Sequence, residues 1–134
     1  MIKKSENFSY PEVELKAYKD RPGTFESVTR REIFPEAETS FDTRYFEVSK
    51  GGYTSFEKHG HEHCVVALRG VGRVRIGDEW HALQVGDAVL IKGMTPHQFE
   101  STSDEPFGFI CMVNRDRDRP ILLDPDGSVR PSNP

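Results

Sequence analysis

Apolar residues in this chain alternate with polar ones in short runs, and no stretch carries the three-to-four-residue spacing of an amphipathic helix. The runs predict a series of strands. Phe25 to Ile33 is one, stopped at Phe34-Pro35-Glu36. Thr43 to Val48 is a second, broken by Gly51-Gly52. Tyr53 to His59 follows. His63 to Leu68 is almost continuously apolar and ends at Gly70. Gly72 to Ile76 and Glu79 to Leu83 flank Gly77-Asp78, a hairpin turn. Val85-Gly86-Asp87 leads into Ala88 to Ile91, and a corner at Gly93 to Pro96 precedes His97 to Ser101. Pro106 to Val113 is the last. Many short strands separated by turn residues imply an all-β sandwich or barrel.

The ends differ from this middle. Residues 1–24 hold an N-terminal segment suited to an edge strand or a first helical turn. Residues 25–114 hold the barrel. Residues 115–134, rich in Pro, Asp, Arg and Ser, read as a surface tail that packs on a partner subunit through Ile121, Leu122 and Leu123.

Composition narrows the class. A length of 134 residues suits one domain with a single core, and no run approaches the roughly 20 apolar residues of a membrane span. The start carries no apolar stretch of signal-peptide type. Two cysteines, Cys64 and Cys111, are too few for a disulfide scaffold, so a reduced, cytoplasmic protein is expected. Net charge is −4, with no basic stripe for nucleic acid. Arg115-Asp116-Arg117-Asp118-Arg119 alternates in sign and reads as a solvated loop.

Three of the five histidines stand in "EKHGHEH", Glu57 to His63. On a straight strand, His59 and His63 would lie roughly 13 Å apart, whereas ligands of one ion sit about 2.0–2.2 Å from it. A bend at Gly60, a residue free to take unusual backbone angles, removes the difficulty. Glu57 and His59 then share one strand face, and His63 opens the next strand toward the same interior. His61 falls in the corner and is the weakest candidate ligand.

The spacing from Gly51 through Glu57, His59 and His63 to Gly70 resembles the first signature motif of the cupins. Gly86, ten residues and His97, with "DAVLIKGMTP" between, resembles the second. The resemblance implies a single-domain antiparallel cupin barrel, also described as a double-stranded β-helix or jelly roll. It departs from the usual order of His, His, Glu and a distant His. Glu57 stands at the first His position, His63 at the Glu position, and Lys92, Met94 and Ser101 replace the second motif's usual Pro, Gly and Asn.

With His63 so placed, the chain resembles the small four-histidine manganese cupins. Arg44 in "TRYFEV", and Phe109 and Cys111 in "FGFICMV", match residues that surround the open face of the metal there. The resemblance implies one divalent transition metal per chain, held by Glu57, His59, His63 and His97. Imidazole and carboxylate suit Mn, Fe, Co, Ni, Cu or Zn. Four protein ligands leave open positions for water, O2 or substrate. The implied catalytic residues are Glu57, Arg44, Cys111 and Phe109. The implied function is O2-dependent, dioxygenase-like oxidation of a small organic molecule by a homodimer. A redox-neutral isomerase, lyase or decarboxylase, or a ligand-binding module without catalysis, are the other classes.

Bland readings stand beside these. A single histidine is most simply a hydrogen-bonded barrel residue, Glu57 could accept a hydrogen bond from a ligand, and Cys111 could be plain packing. Cys64 should face away from His63's side, and His81 should be exposed on its hairpin. A buried Arg44 needs an acid or an anionic substrate.

Overall fold

A computed structural model describes residues 1–17 and 26–131. Among them are eleven strands and no helix: β1 (Lys16–Ala17), β2 (Glu26–Glu32), β3 (Phe41–Tyr53), β4 (Glu57–Lys58), β5 (His63–Arg69), β6 (Gly72–Ile76), β7 (Glu79–Leu83), β8 (Ala88–Ile91), β9 (His97–Ser101), β10 (Phe107–Asn114) and β11 (Ile121–Leu122). None of the described segments is a helix long and apolar enough to cross a membrane. Phe25, the expected first residue of β2, lies outside the described residues.

The strands pair antiparallel in one curled sheet of order β11-β4-β9-β3-β10-β5-β8, with β2 and β1 added beside β3, and β6 and β7 beside β9. The long β3 links the two halves. Its first part pairs with β10 and β2, and its last residue, Tyr53, pairs with Glu100 of β9. The glycine pair therefore bends this strand instead of ending it. Gly51 takes a left-handed φ of 75°, and a Cβ on Gly52 would lie 2.7 Å from the Glu26 carbonyl oxygen. The expected run from Tyr53 to His59 is split: Tyr53 ends β3 and only Glu57–Lys58 resumes as strand, because Thr54 turns its amide and hydroxyl to the backbone of Phe99.

Alternation decides which side chains go inside. On β5, His63, Val65 and Ala67 are buried while Cys64 is exposed. On β10, Phe107, Phe109, Cys111 and Val113 are buried. Phe109 stacks against Phe46 and Phe99 at centroid distances of 5.4 and 4.8 Å. This aromatic layer fills the barrel and forms the floor below the histidines. Such pairs are worth about 0.5–1.5 kcal/mol each beyond their buried area.

Both ends join the barrel. β1 lies along β2. Ile121 and Leu122 of β11 pair with Lys58 and Glu57 of β4. Leu123 is 1% exposed, and its amide donates to the Phe56 carbonyl. Of the apolar triplet expected to pack on a partner subunit, Leu123 is thus covered by its own chain, while Ile121 and Leu122 stay half-buried.

Candidate metal centre

The site is assembled by register. β4 places Glu57 directly opposite His97 of β9. The chain then turns, the Met94 amide donates to the His59 carbonyl at 2.6 Å, and His63 enters β5 opposite Ile91 and Val113. The bend at Gly60 forms as expected but for another reason. Gly60 is not among the residues with positive φ. What it supplies is room, since a Cβ there would lie 2.6 Å from Asp118 Oδ2, and one on Gly93 would lie 2.5 Å from the Gly60 oxygen.

The rings of His59, His63 and His97 form a nearly equilateral triangle, with centroids 4.8 to 5.0 Å apart. Each offers a nitrogen within 4.8 Å of the others, and all three side chains are buried. His59 Nδ1 meets the His61 carbonyl at 2.9 Å, and His97 Nδ1 meets the Thr95 carbonyl at 2.8 Å. A carbonyl can only accept, so these Nδ1 atoms carry the proton and leave Nε2 with a free lone pair. Nε2 of His63 and of His97 is buried with no hydrogen-bond partner.

Burial pushes the His63 imidazole down to about 2 and His97 to about 4, with neighbouring imidazoles adding to the effect. His59 is lowered too, chiefly by burial. All three are neutral at pH 7, the form that binds metal. Three buried, neutral, converging imidazoles, two of them with an orphaned Nε2, fit a transition ion.

Around the triangle is a cavity of about 280 Å³. Glu57 lines it but stands outside the three-histidine group. Burial raises its carboxyl to about 7, against a hydrogen bond from Ser55 at 2.9 Å and the charge of Arg44. Arg44 and Cys111, directly opposite on β3 and β10, both face inward. Arg44 Nη2 donates to Cys111 Sγ at 3.1 Å, and His63 Nδ1 lies 3.1 Å from the same sulfur. Burial raises the Cys111 thiol above its usual range, although Arg44 works against this. Phe109 lines the wall.

His61 stacks on His59, rings 3.8 Å apart and 3° from parallel, and lines the rim outside the ligand group. His81 is half exposed on β7, 3.5 Å from Glu79. The alternating run expected to be a solvated loop instead brings Arg117 and Asp118, with Pro120 after it, to the lining of the cavity mouth. Only the proline after the charged run hinted that this loop ends and returns to the fold.

The profile of the family described as Cupin domain matches residues 44–113, which hold all three histidines. This chain is a cupin. It is 41% identical over 116 residues to 1-methylthio-D-xylulose 5-phosphate methylsulfurylase of Rhodospirillum rubrum, covering 86% of this chain and 74% of that protein. Among solved structures, a cupin-2 domain from Rhodospirillum rubrum superposes with a TM-score of 0.84 at 38% identity, over 95% of this chain and 86% of that one. A cupin 2 conserved barrel domain protein from Rhodopseudomonas palustris gives 0.87 at 34%, over 95% and 89%. The cupin barrel read from the two motifs is the fold observed.

Proposed function

We propose that this cupin is a metal-dependent enzyme that removes the methylthio group from a phosphorylated ketose, the chemistry named for its Rhodospirillum rubrum relative. One observation carries the reading. The Cys111 thiol opens into the same cavity as the three imidazoles, 3.1 Å from both His63 Nδ1 and Arg44 Nη2. A divalent first-row ion held by His59, His63 and His97, with Glu57 beside it in the cavity, would polarise the ketose carbonyl as a Lewis acid.

The protein's own groups supply the rest. His63 and Arg44 hold Cys111 Sγ for attack on the thioether sulfur. An S–S bond forms, the sugar C1–S bond breaks, and its electron pair passes to C1, which is conjugated with the carbonyl. Glu57, whose carboxyl burial pushes up, delivers the proton that makes C1 a methyl group. An external small thiol then returns Cys111 to the thiol and carries the methylthio group away as a mixed disulfide. Phe109 and the aromatic floor keep water from the sulfur.

The test is to supply 1-methylthio-D-xylulose 5-phosphate and a small thiol without O2. Turnover should proceed, stop on metal chelation and be abolished in Cys111→Ser. Sugar recovered with its C–S bond intact would defeat the reading. Strict dependence on O2 would favour the second reading, dioxygenase-like oxidation, which Arg44, Phe109 and Cys111 around the histidines also support.

We further infer a homodimer. Met112, Cys64 and Leu90 stand in one cross-strand row on the outer face of β10, β5 and β8. All three are exposed, and Phe41 lines the same shallow depression.

A further inference from the structure

The cavity carries two arginines whose hydrogen-bonding capacity the protein leaves unspent. Arg44 is partly buried at the inner wall. Its Nη2 reaches Cys111 and its guanidinium packs 5.0 Å from the Phe46 ring. Its Nε is buried with no hydrogen-bond partner, and among the described residues no carboxylate pairs with it. A half-buried guanidinium with an unpartnered Nε and no carboxylate in ion-pair contact, its nearest cavity acid being Glu57, lacks the anion that its fork is shaped to hold.

Arg117 stands at the mouth of the same cavity. Its Nη1 alone makes every hydrogen bond it has among the described residues: to Asp42 Oδ2 and the Asn114 carbonyl at 2.8 Å, and to the Arg115 carbonyl at 3.3 Å. That leaves Nε and Nη2 for a ligand. Both guanidinium charges bear on the same groups, His61 and Cys111. The two arginines therefore flank one end of the cavity. Asp118, beside Gly60 across the mouth, is the opposing charge there. It disfavours a second anionic site and suits a sugar hydroxyl.

We propose that Arg44 and Arg117 form the seat for the phosphate of a phosphorylated ketose, Arg44 from the wall and Arg117 from the rim. The inference rests on the sugar-phosphate reading above and names the residues that recognise it. A phosphate dianion offers several acceptor oxygens to the free N–H groups, and a planar fork holds it in one orientation. The seat explains how a cavity floored with phenylalanine would select a phosphorylated sugar over its free alcohol.

Calorimetric titration of the metal-loaded protein with D-xylulose 5-phosphate, D-xylulose and inorganic phosphate tests this. Neither sugar carries a methylthio group to transfer, so binding is read alone. Wild type should prefer the phosphorylated sugar. Arg44→Gln and Arg117→Gln should each lose roughly tenfold or more of that preference, and Arg117→Gln, at the rim, should do so with D-xylulose affinity and metal content unchanged. Arg44→Lys should recover part of it. If both Gln variants keep the full preference, the seat is elsewhere and the inference falls while the sugar-phosphate reading stands. If wild type shows no such preference and binds no inorganic phosphate, both fall. If inorganic phosphate binds and is lost in the variants while the two sugars bind alike, the seat stands and the sugar reading falls. Arg117→Gln, at the rim, carries the test should Arg44→Gln fail to fold.

Discussion

His63 stands where the two halves of the site meet, with one ring nitrogen on Cys111 and the other, unpartnered, in the imidazole triangle. Removing it should therefore strip the metal and release the thiol together. We expect His63→Ala to purify with metal content reduced by roughly two orders of magnitude, and Glu57→Gln to show a smaller deficit, on the order of tenfold. Elemental analysis of protein prepared without added metal checks both. Full occupancy in His63→Ala would dismantle the proposed centre. At this scale much was legible in the chain, because alternation fixes which residues share a face: His59, His63 and His97 converge as their spacing implies. Arg117 was not legible. In an alternating run of arginine and aspartate every charge has a neighbouring partner on paper, and only the folded loop shows that Asp42, 75 residues away, takes one edge of that guanidinium.

The loop is tied to β3 by that aspartate. Asp42 accepts from Arg115 Nε at 2.9 Å and Arg117 Nη1 at 2.8 Å. Burial pushes its carboxyl up, but the two arginines outweigh it and hold the group below its ordinary 3.8. A depressed carboxyl stabilises the fold above its unfolded value, and that stability is lost as pH falls through the folded one. Thermal midpoints followed from pH 5 to pH 2 should therefore fall more steeply in wild type than in Asp42→Asn. The variant should be weaker by about 1–2 kcal/mol near neutrality. Parallel curves would show that the tie contributes nothing. Strands β6 to β9 were readable to the residue because Gly77-Asp78, Gly86-Asp87 and Gly93 mark each turn. β3 and β11 were harder. A glycine pair looks the same in sequence whether it ends a strand or bends one, and two-residue β11 exists only because β4 offers it an edge.

For the molecule as a whole, Met112, Cys64 and Leu90 bring three apolar side chains to solvent in a single row. If a second copy covers them, Leu90→Glu places an unpaired charge in that contact and should halve the mass found by sedimentation at about micromolar concentration. Wild type sedimenting as a monomer would reject the pairing. The three imidazoles lie within residues 44–113, whereas Arg117, Asp118 and Pro120 reach the mouth from chain that follows them. The proposed phosphate seat thus draws one arginine from the barrel that carries the histidines and the other from the chain that follows it. If the proposed seat holds, replacing the few residues after Asn114 should change which small molecule the cavity admits while the three imidazoles stay in place.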